Sequence, residues 1–281
     1  MNQFGKVSRL ELTAAFSRDK KTFIEDSFFT SPFKIMKPFE NPDGSIAVFQ
    51  QSASAGILSG DAQEHNIVVK KNASLKIRSQ SFEKIFKMEE GERASRTIFA
   101  TVQENAALFY EPLPCIPFSQ SDFSSRSQIH LSDKSSRLLY QDILCAGRVA
   151  SGEFFDYRFY RNLIEIWRGE KLVFRDNAFF EGSDGGKKPA AKELLQSPSV
   201  FGGFTHSGTL LLFGFGLSVS DARKILGLEE KLLYSETIPA KIVEASQTES
   251  GDIAIRALAN CAETIQKEFE KIKTALTSWR I

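Results

Sequence analysis

Between Ser54 and Phe180 the sequence reads as one β-strand after another, and that run constrains the fold more than any other feature. Four polar segments interrupt it: GILSGDAQ (56–63), RSQSFEKIF (78–86), YEPLPCIPFSQSDF (110–123) and AGRVASGEFF (146–155). Acidic, amide and glycine residues gather there, where a plain sheet needs only solvent-facing groups or short turns. A β scaffold carrying a carboxylate-lined surface is the reading that accounts for both features.

The strand series begins earlier, with Leu10, Leu12 and Ala14 on one face of residues 8–16, then KTFIEDSFF (21–29) and SIAVFQQSA (45–53). EHNIVVKK (64–71) and SLKIRSQS (74–81) flank the turn KNA (71–73), and further strands run to about residue 168, followed by KLVFRDNAFF (171–180). Turn spacing is short and fairly regular, which favours a continuous antiparallel stack over alternating βαβ units. EGSDGGKKPAAKE (181–193) reads as a flexible loop and does not match the G-x-x-x-x-G-K-[ST] pattern of a phosphate loop. TLLLFGFG (209–216) is a buried strand; residues 218–234 read as a helix with Ser220 as N-cap and Asp221 in its first turn; IPAKIVEAS (238–246) returns to strand. At the end, Leu258, Cys261, Ile265, Phe269, Ile272, Leu276 and Trp279 recur at steps of three and four. They form one apolar stripe on a helix of about six turns, expected to pack on the chain's own sheet.

Composition narrows the function classes. The net charge of +1 in 281 residues gives no general attraction to nucleic acid or to a membrane surface. No signal peptide is legible at the N-terminus, no apolar run approaches a bilayer span, and Cys115, Cys145 and Cys261 offer no disulfide framework. A reduced, cytoplasmic protein is the expectation. With 25 Phe against 5 Tyr and 2 Trp, apolar surface is expected in excess of the core's needs, part of it awaiting a partner.

Catalytic signatures are scarce. His65, His130 and His206 share no metal-ligand spacing; His206, within GGFTHSG, is a weak candidate because glycines flank it. No G-x-S-x-G elbow occurs and no Cys has a His nearby in sequence. Carboxylates remain. Asp61 directly follows Gly60, and Glu83, Asp142, Glu153 and Glu165 fall in or beside apolar strands. A carboxylate on a buried face is costly unless paired, protonated or bound to a cation. Ion pairs with Arg78, Lys84, Arg148 or Arg161 satisfy each acid singly, whereas together with Gln63, Gln80 and Gln141 the acids are placed to line a polar passage.

Taken in order, FIEDSFFTSPFKIMKPF (23–39), SAGILSGDAQ (54–63), SQSFEKIF (79–86), PLPCIPFSQSDF (112–123), AGRVASGEFFDYRFYRNLIEIW (146–167), GGFTH (202–206) and IRALA (255–259) resemble the urease accessory proteins of the UreD/UreH family, nearest its UreH-type members. The resemblance implies a mostly β fold: a long stack of antiparallel or mixed strands, a helical-β or sandwich-like solenoid, with about two α-helices, one C-terminal. It implies one domain over residues 1–281, with a β body over about 8–216 and an α/β part over about 217–281. It also implies a role as a non-enzymatic maturation factor. In that role Ni2+ passes from a UreG-type GTPase, through a UreF-type partner, to apo-urease, by way of an internal tunnel, with no tightly bound cofactor.

Nickel is held tightly by His and Cys, so scarcity of both with recurring oxygen donors suits passage rather than storage. Asp61, Ser79, Gln80, Ser81 and Glu153 by motif match, and Asp142 as a carboxylate within an apolar strand, are candidates to line the tunnel and touch the metal in transit. Gly60, Lys84, Gly147 and Arg148 are candidates to support it. Two other readings compete: a carboxylate hydrolase on a β-helix with Asp61 and Glu153 as an acid/base pair, and a β-sandwich binding module without a metal role.

Overall fold

The computed structural model describes residues 7–228 and 240–278. The chain starts with the antiparallel pair β1 (Val7–Phe16) and β2 (Thr22–Phe29), then two short edge strands, β3 (Phe33–Ile35) and β4 (Phe39–Glu40), beside β5 (Ile46–Ser52). From there it winds. β6 (Ala62–Val69), β9 (Ala94–Val102), β12 (Asp122–Leu131) and β14 (Phe159–Arg168) lie side by side in one sheet. β7 (Ser74–Ser79), β10 (Ala107–Glu111) and β13 (Arg137–Cys145) continue β5 in a second sheet, with β8 (Glu83–Ile85) and β11 (Cys115–Pro117) beside them. β15 (Lys171–Glu181) closes the first sheet; β16 (His206–Phe213), β17 (Lys241–Gln247) and β18 (Ile253–Ala259) close the second. Helices α1 (Pro189–Gln196), α2 (Val219–Leu226) and α3 (Ala262–Ser278) complete the described chain.

The fold is therefore a β-solenoid with mixed sheets. Its interior pairs are parallel and its antiparallel pairs lie at the flanks. Turn spacing alone favoured antiparallel pairing throughout; the turns decide otherwise. Asn72 and Asn105 hold positive φ (+64° and +57°), a region Asn tolerates, and the amides of Ala73 and Ala106 bond back to Lys70 and Gln103. These corners send the chain across to the opposite sheet rather than back along the same one.

Packing follows from alternation. Leu10, Leu12, Ile67, Ile98, Ala100, Ile129 and Ile166 point from the first sheet into the space between the sheets, and Val48, Leu75, Leu108 and Leu138 meet them from the second. The outer face of the second sheet, with Leu139, Ile143, Leu210 and Ile255, is covered by α2 and α3. The apolar stripe of the C-terminal helix lies where the sequence placed it: Ile265, Phe269, Ile272 and Leu276 are buried against the chain's own sheet. Leu258 belongs to β18 and Cys261 is exposed, so the helix starts later than its periodicity suggested; Trp279 lies outside the described residues.

Two local readings need correction. α2 is capped by Ser218, not Ser220: the Ser218 Oγ accepts from the Asp221 amide at 3.0 Å, so the helix is capped earlier in the chain than expected. Its C-cap is Gly227, and residues 229–234 lie outside the described chain. The segment 181–193 is not a free loop. Pro189 opens α1, good helix formers carry it, and Ser183 and Asp184 are buried, with Asp184 3.4 Å from Arg158. Phenylalanine divides as expected: Phe123, Phe155, Phe201, Phe213 and Phe269 are core, while Phe23, Phe28, Phe29 and Phe39 are exposed near the N-terminal edge.

Candidate functional site

The strand register makes the site. Gln63, Arg96, Ser125 and Asn162 are lateral neighbours on β6, β9, β12 and β14, all on the inward-facing phase that carries Ile, Val and Ala further along. One rung of the apolar interior is thereby replaced by polar side chains. Tyr110, Tyr140 and Asp142 face it from the second sheet, and Glu83 and Cys115 adjoin it on β8 and β11.

Three spaces between the sheets run in series along this rung. A cavity of about 310 Å3 is bordered by Asp142, Tyr160, Asn162, Asp176, Thr209 and Arg256. A space of about 30 Å3 shares Asp142, Tyr160 and Asn162 with it and extends to Glu83 and Arg96. A third, about 20 Å3, shares Glu83, Arg96 and Tyr110 with the second and reaches Gln50 and Ser79. Each of the two small spaces has room for about one water molecule.

Charges along the passage are not equivalent. Arg96, 8% exposed, donates from Nη1 to Glu83 Oε2 at 2.7 Å and from Nη2 to Glu83 Oε1. It also donates from Nε (3.0 Å) and Nη2 (2.6 Å) to Gln63 Oε1, and its guanidinium sits 5.7 Å from the Phe123 ring centre. At the wide end, Arg256 Nη2 donates to Asp176 at 2.9 Å. Among the described residues, Asp142 has no basic partner within ion-pair distance. It is enclosed by protein, with surface facing the large cavity, and burial pushes its carboxyl up to about 6; Asp176 and Glu83 add to the rise, while Asn162 and Arg96 oppose it. Beside it, Asn162 is 3% exposed and its Oδ1 has no hydrogen-bond partner. Tyr140 stacks on Tyr110 with ring centres 5.5 Å apart and shares a 3.0 Å hydrogen bond with Ser127.

Of the residues singled out from sequence, Glu83, Asp142 and Ser79 border the passage, and Gln63 reaches it through Arg96. The Ser79 Oγ accepts from the Leu113 amide at 2.8 Å. Gln80, Ser81 and Lys84 are exposed on the loop and short strand that carry Glu83. Asp61 lies in a turn after Gly60 (φ +78°), where its Oδ2 accepts from the Leu58 amide at 2.8 Å; it borders none of the three spaces. Glu153 accepts from the Ser119 amide and from Arg148 Nε (2.9 Å), and Arg148 stacks 4.4 Å from the Phe118 ring centre. Gly147 is required there: its φ is +142°, and a Cβ would sit 2.8 Å from the Glu153 carbonyl oxygen. Of the acid/base pair of the hydrolase reading, Asp61 is engaged within its own turn and Glu153 by Arg148 and the Ser119 amide of a neighbouring segment. His206 caps the end of β16, with Nδ1 2.9 Å from Thr205 Oγ1, and burial lowers its pKa.

The ion pairs differ from those expected by proximity in sequence. Glu83 takes Arg96 rather than Arg78 or Lys84, and Glu165 takes Arg126 and Arg175 rather than Arg161; Arg148 does pair with Glu153. Arg96, Asn162 and Asp176 were missed altogether. Arg96 carried a usable signal, standing in phase with Ala94, Ile98, Ala100 and Val102 on the buried face of its strand. Among the described residues, no three His, Cys, Asp or Glu side chains converge to hold a metal ion, and no helix is long and apolar enough to cross a membrane.

Fold and site together define a β-solenoid protein with a polar passage between its two sheets. The model of the family described as UreD urease accessory protein matches residues 6–281. The chain is 35% identical to the urease accessory protein UreH of Helicobacter pylori (strain HPAG1) over 277 residues, 99% of this chain and 97% of that protein. It is 35% identical to the urease accessory protein UreD of Acetivibrio thermocellus over 277 residues (98% and 99%), and 29% identical to that of Flavobacterium johnsoniae over 271 residues (96% and 92%). The chain belongs to the UreD family of urease accessory proteins.

Proposed function

We propose that the chain is a non-enzymatic urease maturation factor of the cytoplasm. It serves as scaffold and conduit, passing Ni2+ received from a UreG-type GTPase by way of a UreF-type partner to apo-urease, with the space between the two sheets as the ion's path. The observation that carries this reading is Asp142: a carboxylate enclosed between the sheets, without a basic partner, beside an unpaired amide oxygen on Asn162. A cation relieves the burial cost of such a group, and oxygen donors in so small a number hold Ni2+ weakly enough to release it. Family membership supplies the context of urease maturation.

The test is urease activation in cells lacking their own copy of this accessory gene and carrying compatible partner genes. The wild-type chain restores urease activity; failure to restore it overturns the reading. Asp61 separates turn from path in the same assay. Asp61→Asn keeps an oxygen for the Leu58 amide and is expected to activate as the wild type does. Asp61→Ala loses that bond and is expected to cost about 1 kcal/mol of stability, read as a lowered melting temperature. Loss of activation in Asp61→Asn with unchanged melting would instead place the Asp61 charge on the path.

A further inference from the structure

The passage narrows at one ion pair. Glu83 and Arg96 border both of the small spaces, so an ion moving between them passes the guanidinium at contact distance. A fixed positive charge there opposes a metal ion unless it moves, and both Glu83 oxygens are occupied by it. Arg96 has other holders, however. The Gln63 Oε1 accepts from two of its nitrogens and the Phe123 ring lies alongside, so the guanidinium can release Glu83 and remain hydrogen-bonded. The Glu83 side chain is 26% exposed and within reach of an incoming ion.

The wide end repeats the arrangement. Arg256 clamps Asp176 and also donates to Thr209 Oγ1 at 3.3 Å, a bond it can keep when Asp176 is taken. Two arginine-clamped carboxylates therefore flank the unclamped Asp142.

We propose, resting on the conduit reading, that Arg96 and Arg256 are resident counter-ions that gate the passage: a divalent cation enters by displacing the guanidinium from Glu83 and leaves past Asp176 by the same exchange. The gate sorts by charge. Only an ion of higher charge than guanidinium outcompetes it for the carboxylate, so Na+ and K+ leave the clamps closed and a divalent metal ion opens them.

The experiment uses the full chain expressed in cells lacking their own copy, with urease activity and nickel retained per affinity-purified chain as readouts. Glu83→Gln, which removes the first handhold, is expected to lower activation by at least about tenfold. Arg96→Met frees Glu83 to hold the ion, and nickel retained per chain is expected to rise by about tenfold while activation falls. Arg256→Met, on a half-exposed side chain whose loss does not threaten the core, is expected to shift both readouts the same way. The double variant Arg96→Met with Glu83→Gln removes both charges of the pair, and its melting temperature is expected to stay near that of the wild type while activation stays low. Full activation in the double variant would make the pair structural and overturn the gate, even where Asp142→Asn still blocks activation and the conduit stands. Full activation in Asp142→Asn as well would remove the conduit reading along with it.

Discussion

Asp142→Asn is expected to abolish urease activation while melting at a higher temperature than the wild type at pH 7.5. The two effects share one cause. In the unfolded chain the carboxyl titrates near its ordinary 3.8; in the folded protein burial holds it at about 6. Below about pH 4 both states are protonated and the side chain costs nothing. As the pH rises from about 4 to 6 the unfolded state ionises freely while the folded state keeps its proton, so stability is lost. Above pH 6 the loss is complete, on the order of 3 kcal/mol at most. Asparagine never ionises, so the variant's advantage should be full at pH 7.5 and absent at pH 4. Melting followed by circular dichroism at pH 4, 5.5 and 7.5 measures it. A variant less stable than wild type at pH 7.5 would mean that the carboxylate has a favourable partner after all. A second arm adds Ni2+: the wild type should melt higher with the metal present, because binding to the folded state alone stabilises it, and Asp142→Asn should respond less.

The other large effect belongs to the seam between α3 and the second sheet. Gly208 on β16 leaves no room for a side chain. A Cβ there would lie 2.4 Å from Ile265 Cγ2 and 2.9 Å from Phe269 Cζ, both on α3 and both fully buried. Gly208→Ala is expected to lift the helix and to cost about 1–3 kcal/mol through overpacking. Phe269→Ala, which empties the same spot, should cost about 3–5 kcal/mol. The decisive measurement is a double-mutant cycle with Ile265→Ala, which deletes the clashing methyl: the double variant should cost less than the sum of the two single variants' costs. Strict additivity would show that the helix does not bear on the glycine.

How much of this was legible in the sequence depended on the range of the interaction. The C-terminal stripe needs only local spacing, and Ile265, Phe269, Ile272 and Leu276 were read correctly. Leu258 was drawn into the helix because a partly buried strand residue one step upstream keeps the same phase. Parallel winding was not legible, since a corner built on Asn72 looks the same whether the next strand turns back or crosses over. The passage was half visible. Asp142 and Gln63 stood out as polar residues within apolar runs, but their neighbours Asn162 and Arg96 lie 20 to 33 residues away in sequence and meet them only through strand register and the facing sheet. The Glu83–Arg96 pair was hidden for the same reason, behind the nearer and more obvious Lys84.

The order in which the second sheet is covered has a consequence for synthesis. Leu139 and Ile143 on β13 and Leu210 on β16 present an apolar face that α2 and α3 cover, and α3 is translated after every strand it covers. During elongation that face has nothing native to rest on, while the parallel strands beneath it await partners some thirty residues apart. The nascent chain therefore emerges with a sticky side, and closure of the helix is the event that ends its exposure to misassembly.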